Sequence, residues 1–295
     1  MIDLDQTWDP FTIAETENKY RHLLTAAREN EENNRGELVE ILSMVARTQA
    51  WQGRFMESRL NLQEAEQLVE AMGADCPANA KIRMLMESAR AYLLEKTPAR
   101  ARPLLSQAWT LAVSAGEDYF VIDIAQLMAK IESPKLQQDW LLKAIEIAEQ
   151  SSQEKASWWL GALYSSLAWK YYELRQYSKA LETMQTSRTH FLKRGTKREL
   201  FLADWSVGKI LRTLNRLDEA LELQKALLQK VKADGQGEGR VLEEIAECLL
   251  SLRHPLEAEE YFALAYHELS SDDRDKDEMP LRLKRLKDLG KVRNS

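Results

Sequence analysis

Six times along the chain a small residue recurs inside a helix-like stretch: Ala46, Ala89, Ala125, Ala168, Gly208 and Ala246. Each follows an apolar neighbour, Val45, Ile124, Leu167, Val207 or Ile245, except Ala89, which follows Ser88. Twelve residues after each comes Ser58, Ala101, Gln137, Ala180, Ala220 or Ala258, and seven further on Ala65, Ala108, Ala144, Ser187, Leu227 or Ala265. Between the second and third members stands Leu62, Leu105, Leu141, Met184 or Phe262, with Gln224 as the departure. Antiparallel helices reach the short end of the roughly 8–10 Å packing range only where side chains are small, with large residues filling the grooves. The register therefore predicts paired helices. Successive copies start 36 to 43 residues apart, the length of two helices and short turns.

Punctuation agrees with that pairing. Gln52-Gly53-Arg54, Thr97-Pro98, Ser133-Pro134, Leu214-Asn215-Arg216 and His254-Pro255 fall where the first helix of a pair gives way to the second. Gly73, Gly116, Gly195 and Gly235 lie eight residues past the third small member and read as helix C-caps at positive φ, which glycine adopts without steric cost. Alternation of the strand kind is missing. Residues 12–30 form an amphipathic helix with Ile13, Tyr20, Leu23, Leu24 and Ala27 inward. Past the last copy, the acidic run from Ser271 to Glu278 precedes a short basic helix from Leu281 to Leu289. Both flanking helices are expected to cap the array, whose end faces would otherwise expose core; for the second, nucleic-acid or membrane contact is the alternative. The organisation expected is 1–35 as segment and cap, 36–270 as six repeats, and 271–295 as linker and short helix.

The 295 residues are 44% hydrophobic and 30% charged, a balance that folds and dissolves. A net charge of -6 and a pI near 5.5 argue against nucleic acid as the main ligand, because phosphate binding needs surplus Lys and Arg. No stretch approaches the roughly 18 apolar residues of a membrane span, and Met1 to Pro10 has neither the basic start nor the apolar run of a targeting peptide. A cytoplasmic protein is expected. Cys76 and Cys248 fall in different repeats and fit reduced thiols.

Catalytic patterns are missing. His22, His190, His254 and His267 are scattered, and none pairs with Cys or another His at metal-ligand spacing. Gly235-Gln236-Gly237-Glu238-Gly239 follows a helix and lacks the Gly-Lys-Ser/Thr ending of a phosphate loop, so it reads as an inter-repeat turn. Glu243-Glu244 and Glu259-Glu260 read as solvated helix faces. Neither enzyme activity nor a cofactor or metal is expected.

The fourth copy, Leu167-Ala168-Trp169-Lys170-Tyr171-Tyr172-Glu173-Leu174-Arg175-Gln176-Tyr177-Ser178-Lys179-Ala180-Leu181, resembles a tetratricopeptide repeat. The sixth is similar, with Ile245-Ala246, Leu249-Leu250, Pro255-Leu256-Glu257-Ala258, Phe262 and Ala265. The copies exceed the family's usual 34 residues and look like the long-helix arrays of bacterial regulatory and sensor proteins. The resemblance implies an all-α, right-handed superhelical solenoid of about six antiparallel helix pairs, with the first helix of each pair lining a concave surface.

By helical spacing, that lining carries Arg47 and Trp51 in the first copy and Arg83 and Arg90 in the second. Trp169 and Tyr172 line the fourth, and Trp205, Lys209 and Arg212 the fifth. In the fifth, Asp204 falls on a packing position, and a rotation of that helix would bury Trp205. Tryptophan and arginine are residues of interface hot spots. An aromatic, basic groove suits an acidic peptide or an amphipathic helix with an apolar anchor. The family's clamp for a chaperone's C-terminal carboxylate is broken, since its positions carry Ser43, Arg47, Glu87, Tyr119 and Asp123. The expected function is a peptide- or protein-binding scaffold or adaptor. The alternative is a regulatory sensor whose solenoid changes shape on binding a peptide or small effector.

Overall fold

The computed structural model describes residues 3–10, 12–29, 34–234, 238–271 and 280–292. Among them are fifteen α-helices and no strand. Six helix pairs follow in order: α3 (Arg35–Trp51) with α4 (Phe55–Met72), α5 (Ala78–Leu94) with α6 (Pro98–Ala115), α7 (Asp118–Ile131) with α8 (Pro134–Gln150), α9 (Leu160–Glu173) with α10 (Tyr177–Arg194), α11 (Lys197–Thr213) with α12 (Leu217–Asp234), and α13 (Glu238–Ser251) with α14 (Pro255–Ser271). Helices α1 (Leu4–Thr7) and α2 (Ile13–Glu29) precede them, and α15 (Pro280–Leu289) follows. The chain forms two compact units, residues 1–159 with α1 to α8 and residues 160–295 with α9 to α15. Each unit holds three pairs.

The small residues sit where helices touch. Ala46, Ala89, Ala125, Ala168 and Ala246 are fully buried, as are Ala65, Ala108, Ala144, Ser187 and Ala265 on the partner helices. In the fifth pair two departures answer each other. Gln224, at the usual large apolar position, is fully buried and donates through Nε2 to the Trp205 carbonyl at 3.0 Å, and a Cβ on Gly208 would collide with that amide. Glycine makes room for the buried amide and a carbonyl accepts one of its protons, while its Oε1 is left without a hydrogen-bond partner.

Five of the six turns within pairs repeat one hydrogen bond. The amides of Arg54, Thr97, Gln176, Arg216 and His254 reach back to the carbonyls of Gln49, Tyr92, Tyr171, Leu211 and Leu249 at 2.8–3.0 Å. The preceding residue, Gly53, Lys96, Arg175, Asn215 or Arg253, has φ between 58° and 74°, the left-handed cap that frees the last carbonyls for this bond. The third pair turns at Glu132 and Ser133 with extended backbone instead. Between pairs, Gly73 and Gly116 have the expected positive φ, at 54° and 67°. Gly195 corrects the expectation, with φ of -93° and ψ of 161°. It is small for a different reason: a Cβ there would lie 2.7 Å from the Phe191 carbonyl oxygen. Gly235 lies outside the described residues, as do most of the glycine-rich turn around it and the acidic residues 272–278.

Helix α2 packs along α3, burying Tyr20, Leu24 and Ala27 and half-burying Ile13 and Leu23. At the other end of the chain α15 lies on α14, with Leu286 fully buried and Arg282 and Arg285 paired to Glu243 and Glu247 of α13. Cys76 is half-buried in the first unit and Cys248 fully buried in the second, where burial above all pushes its thiol up to about 12; Glu244 and Glu247 add to the rise, against Arg212. No described helix is long and apolar enough to cross a membrane.

Candidate functional site

In the first unit the faces of α3, α5 and α7 turned away from the pairing helices are buried over most of their length. Every residue of α3 from 41 to 50 is buried, because α2, α4 and α5 all pack along it. Over Arg83 and Arg47 a further cover is added by α1 and the Trp8 that follows it, which sequence reading did not anticipate. Asp3 caps this one-turn helix, its carboxylate accepting from the amide of Asp5 at 3.0 Å. The Leu4 carbonyl accepts from the Tyr20 hydroxyl at 2.7 Å, and Trp8 lies 5.9 Å from the Trp51 ring.

Beneath it runs a buried ion-pair network. Arg83 of α5 donates to both Asp5 oxygens at 2.7 and 2.9 Å and through Nε to Glu40 of α3 at 2.9 Å. Lys155 reaches Asp3 at 2.9 Å and Asp5 at 2.5 Å, with Nζ 4.4 Å above the Tyr119 ring. Two helical turns along α5, Arg90 bridges Glu87 at 2.8 Å and Asp123 of α7 at 2.7 Å. Arg47 of α3 makes a longer bond to Glu87 at 3.4 Å, stacks its guanidinium 4.0 Å from the Trp8 ring centre, and leaves Nε without a hydrogen bond.

Burial and pairing oppose each other here. Burial raises the Asp5 carboxyl, but the charges and hydrogen bonds of Arg83 and Lys155 outweigh it and hold Asp5 well below the usual carboxylate range. Arg83 and Arg90 are raised overall, their carboxylates overcoming burial, whereas Arg47 is lowered by burial and by Arg90. Buried arginines held by two carboxylates each stiffen the three inner helices against one another.

The second unit presents a different face. Trp169 and Tyr172 on α9 and Trp205 on α11 are each half-buried, with Trp169 5.3 Å from Tyr172 and 6.3 Å from Trp205. The Tyr172 hydroxyl bonds Thr213 at 3.0 Å, and Trp205 Nε1 donates to the Arg240 carbonyl at 3.1 Å. Lys209 lies 5.0 Å from the Trp205 ring and 3.3 Å from Glu244, the same buried carboxylate that Arg212 holds at 2.8 Å. Asp204 does take the packing position, buried and paired with Arg188, and Trp205 is thereby half-buried rather than fully exposed.

The nine residues singled out from the sequence thus fall into two sets. Arg47, Arg83 and Arg90 are buried, Arg83 against Asp5 of α1 and Arg47 against Trp8, and Trp51 stays 41% exposed at the end of α3. Trp169, Tyr172, Trp205, Lys209 and Arg212 make one partly open strip. Asp3, Asp5, Trp8 and Lys155 went unnoticed. The available signal was an Asp-x-Asp-x-x-Trp run set against three inner-face arginines in the first two repeats.

Six helix pairs with small residues at their contacts define a helical repeat array of the tetratricopeptide kind. The sequence matches no protein-family model and no curated protein. Solved structures share the fold. A signal-transduction ATPase from Pyrococcus horikoshii that carries a tetratricopeptide-repeat sensor matches 98% of this chain with a TM-score of 0.70 at 15% identity, and this chain spans 44% of it. The apo form of RapI matches 95% of this chain over 83% of its own, with a TM-score of 0.71 at 10% identity. The apo quorum sensor NprR from B. thuringiensis matches 92% of this chain over 80% of its own, with a TM-score of 0.57 at 15% identity. The chain has a tetratricopeptide-like all-α solenoid fold.

Proposed function

We propose that this protein is a non-catalytic, cytoplasmic scaffold or adaptor that binds a peptide or protein segment on its inner helix faces, without a cofactor. The observation that carries the reading is the strip formed by Trp169, Tyr172 and Trp205, in which Trp169 packs against both other rings and all three are only half covered. Clustered aromatic rings offer a large rigid contact at little entropic cost, the character of an interface hot spot. Lys209 and Arg212 share the one Glu244 carboxylate, which favours a ligand with an acidic residue beside its apolar anchor.

A displayed library of random peptides selected on the protein tests this. Selected ligands should be acidic or amphipathic with an aromatic or aliphatic anchor, bind more weakly to Trp169→Ala, and weaken as salt rises. Ligands that bind the variant at full affinity without salt dependence would remove this strip from consideration.

A second reading, a regulatory sensor, is favoured by the covered inner face of the first unit, and two of the similar structures are sensors by name. Small-angle scattering with and without a selected peptide separates the two, since a scaffold keeps its dimensions and a sensor changes them.

A further inference from the structure

We propose that the inner face of α3, α5 and α7 is a binding site for a short acidic–aromatic peptide, and that residues 3–9 of the chain are its resident, displaceable occupant. The inference concerns the first unit and does not depend on the aromatic strip of the second.

Three observations carry it. First, α1 is four residues long, too short to hold a helix by itself, since isolated helices below roughly 12 residues are marginal in water. Its shape is imposed by the surface it lies on, as a bound peptide's is. Second, its contacts are ligand-like. Asp5 is held bidentately by Arg83 and again by Lys155, Asp3 by Lys155, Leu4 is buried, and Trp8 is wedged between Trp51 and the Arg47 guanidinium. Charge-assisted bidentate bonds give position and polarity, and the ring supplies the anchor. Third, the segment leaves a cleft of about 1070 Å³ beside it, lined by Asp5, Arg35, Arg83, Tyr119 and Lys155 among others, just above the roughly 300–1,000 Å³ of ligand pockets. The face has space for a longer chain than its occupant.

Charge specifies the replacement. If residues 3–9 leave, Lys155 loses both of its carboxylates and Arg83 keeps only Glu40. A buried guanidinium stripped of a partner is costly, so the emptied face favours whatever restores two carboxylates at this spacing. A peptide with Asp or Glu two residues apart and an aromatic residue three further on does so. The tether raises the local concentration of the resident copy, so the free peptide binds the intact chain weakly and the released chain strongly.

The test uses a synthetic peptide, Asp-Leu-Asp-Gln-Thr-Trp-Asp, added to the full chain labelled with fluorotryptophan, the Trp8 resonance being assigned by Trp8→Phe. Excess peptide should move the Trp8 resonance to its solvent-exposed position while the other tryptophans keep theirs. The same peptide with Asn for each Asp should not. In a chain carrying Asp5→Asn and Trp8→Ala, the dye-labelled peptide should bind at least about tenfold more tightly than to wild type, and Lys155→Ala in that background should reverse the gain. Because the resonance is read on the wild-type protein, a folding defect in the variant cannot mimic displacement. A Trp8 resonance unmoved at millimolar peptide, or equal affinity for wild type and released chain, overturns the proposal. Trp169→Ala should leave the displacement unchanged, so failure here and failure of the second-unit reading are told apart.

Discussion

Two inner faces built from the same repeat meet opposite fates. On α3, α5 and α7 the lining arginines are sealed, each of Arg83 and Arg90 held by two carboxylates, one of Arg83's supplied by α1. On α9, α11 and α13 the lining is aromatic, half covered, and its cations share a single glutamate. The difference lies in what the repeats receive from elsewhere in the chain. A face with charges in complementary pairs recruits a cover that completes them, whereas aromatic rings satisfied by one another can wait partly wet.

The sharpest way to break this contrast is Arg90→Ala. It leaves Glu87 and Asp123 buried without their shared cation, so urea unfolding of the first unit should lose about 3–5 kcal/mol. A loss below about 1 kcal/mol would mean that the sealed face is wet in solution. Next comes Trp169→Ala in the second unit, where a half-buried ring should contribute little to folding but at least roughly 2 kcal/mol of affinity for a selected peptide, by titration calorimetry. If its removal instead costs about 3–5 kcal/mol of stability, the ring is core and the two faces are alike.

Acid should act on the covered face first. Asp5 titrates lower when docked against Arg83 and Lys155 than when free, so its contribution is complete above the free value near 4 and is lost as pH falls through the depressed docked value. The groups facing it are Arg83, Lys155, Glu40, Asp3 and Tyr119. Below about pH 4 the docking of Trp8, read from its fluorine resonance, should weaken by at most about 1.4 kcal/mol for each pH unit and proton bound. Docking that is indifferent to pH down to about 2 would remove Asp5 from the account. The smallest effect is expected at Arg28, whose pair with Glu64 is exposed on both sides. Arg28→Ala should cost below about 1 kcal/mol by thermal melting, and a larger loss would show that burial is not what separates strong from weak pairs here.

The helix pairs were legible because their information is local and repeated: Ala46 and Ala65, Ala89 and Ala108, Ala168 and Ser187 announce close packing at fixed spacing. Helical spacing likewise turned Arg47, Arg83 and Arg90 away from the pairing helices. What covers them was not legible, because α1 is one turn of mostly polar residues with no period, and it meets Arg83 and Lys155 after about 80 and 150 residues of chain. Gly195 misled for a related reason: spacing marks a glycine but not its φ, and here the demand comes from the Phe191 carbonyl. Gln224 reads as a flaw in the register until Gly208 is seen beneath it.

The thiol of Cys248 supplies a clock. Thiol reagents attack the thiolate, and with its proton held up to about 12 and its sulfur fully enclosed, the residue is inert while α13 stays packed. Modification must wait for that helix to open, so its time course counts openings of the second unit. Cys76, half-exposed in the first unit, needs no such event. A single reagent and a mass spectrometer therefore read two separate hands: an early one that marks exposure, and a late one that marks how often the second unit comes apart.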